Sequence, residues 1–170
     1  MALVLLIGGA RSGKSSLAVR LAGDHGVPVV FIATAEARDD DEMSERIAHH
    51  RTERPADWQT IEEPLRLRES LGAASAESCV VVDCLSLWVA NMLERGDDVE
   101  EAAVASAKIA ADRSAPTIAV TNEVGMGVVP ATPLGRAYRD VLGRVNAIWA
   151  EAADVSYFVV AGKTLRLSDA

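Results

Sequence analysis

The chain has 170 residues, 49% hydrophobic and 25% charged, a length and balance that suit one soluble globular domain over residues 1–170 with a sizeable core. A net charge of -8 argues against a nucleic-acid surface, because duplex binding needs a basic face. Two cysteines, Cys79 and Cys84, are too few for a disulfide framework and read as buried thiols.

Leu3 to Ile7 is a continuous apolar run that empties into Gly8-Gly9-Ala10-Arg11-Ser12-Gly13-Lys14-Ser15. This reads as strand, phosphate-binding loop and helix. No basic region precedes the run and no cleavage site ends it. No other apolar stretch approaches the ~20 residues of a membrane helix, so no membrane span and a cytoplasmic address are expected. Apolar residues at helical spacing predict a helix over Ser16 to Ala22, stopped by Gly23, Gly26 and Pro28. Val29 to Thr34 is a short apolar run, as in a parallel strand buried on both faces. Asp39 to Glu42 supplies acids to the first turn of a helix that runs on through Arg51.

Thr52 to Glu63 reads as an irregular polar loop, and Pro64 to Leu71 as a short helix. Ser78 to Asp83 is a buried strand, Leu85 to Leu93 a helix ending before Gly96, Val99 to Arg113 an Ala-rich helix, and Pro116 to Thr121 another apolar strand. The loop Asn122 to Pro130 leaves that strand at its C-terminal end, where such sheets place ligands. A long helix over Pro133 to Ala152 and a final core strand over Val155 to Val160 complete the chain. Strands alternating with helices indicate an α/β fold with a mostly parallel doubly wound sheet flanked by helices.

The spacing Gly8-x4-Gly13-Lys14-Ser15 fits the Walker A pattern. Its glycines permit backbone angles that let successive N–H groups converge on phosphate oxygens. Lys14 would charge-pair with the β and γ phosphates, and the Ser15 hydroxyl would ligate Mg²⁺. Asp83 closes a strand of apolar residues, the Walker B position, where a carboxylate holds the same ion. The plainer reading of Asp83 is a cap on the following helix. Arg11 could contact a substrate or pair with an acid. Glu62 and Glu63 could hold ribose or base donors, or be solvated loop carboxylates. Trp58 and Trp88 read as packing residues rather than base-stacking platforms. No Asn-Lys-x-Asp motif and no Asp-x-x-Gly switch after Asp83 are present, which excludes a standard GTPase.

His49-His50 precedes Arg51 and Arg54, basic groups suited to phosphates. Adjacent helical positions point about 100° apart, so the two imidazoles do not easily share one metal. The plain reading is two solvated side chains on a charged helix. The alternative is a nucleophile that attacks phosphorus and forms a phosphoramidate, and helical geometry does not choose between His49 and His50.

Several stretches together carry a resemblance: Gly8 to Ser15, Phe31-Ile32-Ala33-Thr34, Asp41-Glu42-Met43 with Arg46 to Arg51 and Arg54-Pro55, Thr121 to Pro130, and Gly143-Arg144-Val145-Asn146. Through them the chain resembles the bifunctional adenosylcobinamide kinase and adenosylcobinamide-phosphate guanylyltransferase family of cobalamin synthesis. The resemblance implies a recombinase-like P-loop fold, a homotrimer, and two reactions. A nucleoside triphosphate, ATP or GTP, phosphorylates adenosylcobinamide; GTP then donates GMP to that phosphate through a GMP-histidine. It puts the nucleophile on His50, with His49 in reserve. GTP contacts fall on Gly8, Gly9, Ala10, Arg11, Ser12, Gly13, Lys14 and Ser15, and further on Thr34, Arg51, Thr52, Glu53, Arg54, Glu62 and Asp83. The strand-end acid is Asp83 where Glu is expected in some relatives, and either serves Mg²⁺. Two other readings stand beside it: a single-activity P-loop kinase with idle histidines, and a nucleotide-binding subunit without catalysis.

Overall fold

In the computed structural model, which describes residues 3–36 and 55–168, the opening apolar run is strand β1 (Leu3–Gly8). Leu3, Leu5 and Ile7 enter one core, Val4 and Leu6 the other. A strand covered on both faces has no polar side to show, which explains the unbroken apolar run. The same division holds for β2 (Val29–Ala33), where Val30 and Ile32 oppose Val29 and Phe31. After the short β3 (Gln59–Glu62) it recurs in β4 (Cys79–Asp83), and β5 (Thr117–Asn122) and β6 (Val155–Val160) complete the parallel set.

These six strands run parallel in the order β3-β2-β4-β5-β1-β6, and β7 (Lys163–Arg166) closes the far edge antiparallel to β6. Helix α1 (Lys14–Asp24) buries Ala18 and Ala22 on one face of the sheet. Helices α2 (Leu67–Ala73), α3 (Leu85–Arg95), α4 (Val99–Asp112) and α5 (Pro133–Ala152) pack on the other. The chain leaves β1 through α1 on one face and returns past it from β5 through α5 on the other. Such a divergence opens a crevice at the strands' C-terminal ends. Among the described residues no helix is long and apolar enough to cross a membrane.

Beyond shifts of a residue or two at several element ends, four features differ from the sequence expectations. The polar loop expected over Thr52 to Glu63 contains β3, whose residues pair with β2 from Val30↔Gln59 to Ala33↔Glu62. An edge strand with mostly exposed residues carries no apolar run to betray it. The short helix starts at Leu67 rather than Pro64, because the Glu63 carboxylate accepts from the amides of Leu65 and Arg66 and holds that stretch as a turn. α1 starts at Lys14 and runs through Gly23 to Asp24. The strand ending at Val160 is not the last, since Ala161 (φ 50°) and Gly162 (φ 73°) form a left-handed two-residue turn into β7.

Gly8 is required for a reason other than its backbone angles. A Cβ there would lie 2.2 Å from the Val159 carbonyl oxygen, at the register point where β1 meets β6. Gly8→Ala must therefore push two central strands apart, at a cost of about 3 kcal/mol. The expected result in a thermal melt is a Tm lowered on the order of 10 °C; an unchanged melt would mean that β6 gives way freely.

Candidate nucleotide site

The register places the ends of five strands on one edge. Gly8 stands beside Asn122, Asp83 beside Ala33, and Ala33 beside Glu62. The loop after β1 rises from that edge, with Arg11 at φ 54° and Gly13 at φ 97°. Gly13 therefore needs the left-handed freedom expected of it. The Gly162 amide donates to the Ser12 carbonyl at 2.9 Å, so the unforeseen β6–β7 turn braces the loop's far side.

Lys14 is only 6% exposed. Its Nζ donates to the Gly9 carbonyl at 2.7 Å and to Ser12 Oγ at 3.4 Å, folding the side chain back into the loop. Burial pulls its pKa down, opposed by the negative charge available at Cys84 and Asp83. An anion entering the loop would relieve that burial cost. Ser15 Oγ donates to Asp83 Oδ1 at 3.4 Å, bringing the two expected metal ligands together. Cys84, not Asp83, is the N-cap residue of α3, and no side chain caps that helix, so the capping alternative for Asp83 is not what the geometry displays.

A hydroxyl and a carboxylate are hard oxygen donors of the kind Mg²⁺ takes together with phosphate oxygens and water. Among the described residues no group of three or more His, Cys, Asp or Glu gathers. Such a donor set fits an ion that arrives with its phosphates.

Thr34 anchors the end of β2 to the end of β4. Its Oγ1 accepts from the Cys84 amide at 2.9 Å and donates to the Cys84 carbonyl at 2.7 Å. Buried Asn91 on α3 donates to the carbonyls of Thr34 and Pro64, fixing the strand end from behind. Asn146 on α5 plays a parallel part at β5, accepting from Thr121 Oγ1 at 2.7 Å and donating to the Asn122 carbonyl at 3.0 Å. Sequence reasoning assigns neither asparagine a role. The available signal is an amide inside an apolar helical stripe, which must satisfy its hydrogen bonds against backbone.

Of the other expected residues, Gly9, Ala10 and Arg11 line the loop's outer wall, and among the described residues Arg11 pairs with no acid. Glu62 ends the exposed edge strand at the same rim. Glu63 is committed elsewhere: burial pushes its carboxyl up, but the Arg66 and Leu65 amides and the Arg66 guanidinium outweigh it and hold the pKa below the ordinary value. Trp88 is buried and donates to the Leu65 carbonyl, and Trp58 packs against the α1-side core, in keeping with packing roles. Cys79 is buried, whereas Cys84 is only half-buried, a departure from the expected pair of buried thiols. Burial first, then the neighbouring Asp83, pushes the Cys84 thiol up to about 11, so it is no thiolate nucleophile at neutral pH. His49, His50, Arg51, Thr52, Glu53 and Arg54 lie outside the described residues.

Comparison with known proteins bears on this geometry. Residues 4–167 match the family described as cobinamide kinase / cobinamide phosphate guanyltransferase. A bifunctional adenosylcobalamin biosynthesis protein CobP of Pseudomonas aeruginosa is 45% identical, covering 96% of this chain and 95% of the relative. The bifunctional adenosylcobalamin biosynthesis proteins CobU of Escherichia coli and Salmonella typhimurium are 41% and 39% identical, each over 94% of this chain and 96% of theirs. Among solved structures, the flagellar accessory protein FlaH from Methanocaldococcus jannaschii superposes with a TM-score of 0.51 at 15% identity, over 96% of this chain and 74% of that one. That likeness concerns the fold alone, a mostly parallel sheet flanked by helices.

Proposed function

This chain belongs to the cobinamide kinase / cobinamide phosphate guanyltransferase family, and from that premise we propose that it carries out both reactions in turn. It phosphorylates adenosylcobinamide with ATP or GTP, then transfers GMP from GTP to adenosylcobinamide phosphate through a GMP-histidine, releasing pyrophosphate. The observation that carries this reading is the buried Lys14 ammonium folded into a glycine loop whose next residue, Ser15, is bonded to Asp83.

In the kinase step the loop amides and Lys14 hold the β and γ phosphates, and the acceptor hydroxyl needs only in-line placement. In the transfer step His50, or His49 in its stead, attacks the α-phosphorus as a neutral imidazole, its ordinary pKa being about 6.5. The same loop then stabilises the departing pyrophosphate. Mg²⁺, held by Ser15 and Asp83, would supply charge neutralisation at the phosphates. Thr34, Arg51, Thr52, Glu53, Arg54 and Glu62 complete the GTP contacts. The enzyme works as a homotrimer in the cytoplasm, each subunit a single domain over residues 1–170.

Intact-protein mass spectrometry after incubation with GTP and Mg²⁺ tests the reading. The expected spectrum shows one GMP added per chain, lost on mild acid treatment. A plain kinase or an inert nucleotide-binding subunit gives no adduct, and that outcome would sink the transfer reaction.

A further inference from the structure

Against the phosphate loop lies an open cavity of about 340 Å³ that extends beyond the loop itself to Glu123, Met126 and β6. One wall is the loop itself, Gly9 to Ser12; the others are Glu123, Met126 and the C-terminal end of β6 from Phe158 onward. The walls differ in chemistry. Phe158, Val159 and Val160 make one side apolar, and Met126 on the rim is 78% exposed. Val128, Val129 and Leu134, further along the same chain segment, are exposed apolar residues as well. The loop side offers backbone and Arg11.

Glu123 stands between the two. Its amide donates to the Gly8 carbonyl at 3.1 Å, so its backbone is tied to the first residue of the phosphate loop. Its Oε1 accepts from the amides of Gly125 and Met126. The carboxylate is thereby fixed by one oxygen, and among the described residues the other takes no hydrogen bond. A carboxylate so close to a triphosphate site repels the nucleotide's own charge, which argues against a role in gripping phosphate. The metal-ligand position is already served by Asp83, on β4 and paired with Ser15. An immobilised acid that lines the same cavity as the phosphate loop, with one oxygen open, suits the acceptance of a proton.

We propose that this cavity seats the acceptor alcohol of the kinase reaction, with Glu123 as its general base and the Met126–Val160 wall holding its apolar body. The assignment rests on the kinase reading above and adds to it the acceptor's seat. As the hydroxyl oxygen forms its bond to the γ-phosphorus, the bond from that phosphorus to the β-phosphate oxygen breaks and its electron pair leaves with the nucleoside diphosphate. The hydroxyl proton passes to the free oxygen of Glu123 and then to water. Met126, unbranched and polarisable, suits a bulky and irregular apolar ligand.

The test uses the full chain with adenosylcobinamide, ATP and Mg²⁺, and follows GTP self-labelling in parallel. Glu123→Gln keeps an oxygen for the Gly125 and Met126 amides but cannot take a proton. It should lower the kinase kcat about 100-fold, with the KM for ATP little changed and self-labelling retained. Met126→Ala should raise the corrinoid KM about tenfold with kcat near wild type. A Glu123→Gln kcat within threefold of wild type overturns the base assignment, and a parallel loss of self-labelling does so too, because Glu123 would then be a brace for the loop. An unchanged corrinoid KM in Met126→Ala, with a changed sedimentation coefficient, overturns the seat and gives the apolar rim to a second copy of the chain. A wild-type chain that phosphorylates no corrinoid overturns the kinase reading itself, and this assignment with it.

Discussion

Lys14→Ala is expected to lower both corrinoid phosphorylation and GTP self-labelling by on the order of 10²- to 10³-fold while leaving the fold intact. The two effects have one cause. The ammonium is the charge buried in the loop, 2.7 Å from the Gly9 carbonyl, and the proposed mechanism uses it on whichever phosphate is leaving or being transferred. The fold should tolerate its loss because burial disfavours the charged form, the direction in which its pKa moves. Removing it deletes a desolvated cation rather than a packing element, so the Tm should stay within a few degrees of wild type. Initial rates of both reactions, with a melt as control, check the point. Self-labelling at the wild-type rate in Lys14→Ala, with phosphorylation lost, would separate the two reactions onto different phosphate sites.

The parts of the fold legible in the sequence are those in which local chemistry and burial agree. β1, β2, β4 and β5 announce themselves because a parallel strand covered on both faces carries a continuous apolar run through its middle. α5 is legible end to end, since Thr132 caps it through the Gly135 amide, Pro133 opens it and a single stripe of Leu142, Val145 and Trp149 enters the core. β3 is not, because its pattern is exposed at three of four positions and its stabilisation is backbone pairing with β2, which no side chain records. β7 has four exposed residues, but its turn is readable: Ala161-Gly162 is a two-residue link with glycine where a left-handed residue is needed.

The site divides in the same way. Residues proposed to act through their own side chains, Lys14, Ser15 and Asp83, stand at motif spacings and are visible there. Residues that act by holding backbone are not, because their partners are distant in sequence: Asn91 is 57 residues from Thr34 and Asn146 24 from Asn122. Gly8 is visible for an incomplete reason, since the Val159 carbonyl that forbids a side chain belongs to a strand about 150 residues later. Glu123 lies in plain view within Thr121 to Pro130, yet only the pairing of β5 with β1 brings it to the phosphate loop.

His50→Ala carries the sharpest expectation for the second reaction, complete loss of the GMP adduct with phosphorylation of the corrinoid retained. Residues 37–54 lie outside the described residues, but the strand that leads into them is described. The chain leaves Thr34 at the C-terminal end of β2, the edge that holds Asp83 and the phosphate loop. Among the described residues the competing nucleophile at that edge is Cys84, whose thiol is pushed up to about 11 and stays protonated. An imidazole is largely neutral above its ordinary pKa of about 6.5. If Cys84 were the nucleophile, adduct formation would still be climbing steeply at about pH 9, because its thiol is pushed up to about 11; the histidine reading expects no such climb. The adduct itself should be acid-labile and stable in base, as a phosphorus–nitrogen bond is and a phosphoserine-like ester is not. His49→Ala is the paired control: if labelling survives in His50→Ala and vanishes in His49→Ala, the nucleophile moves by one residue and the two-step chemistry stands. If labelling survives in both, the phosphate loop delivers GMP to its acceptor by some other nucleophile or by direct transfer.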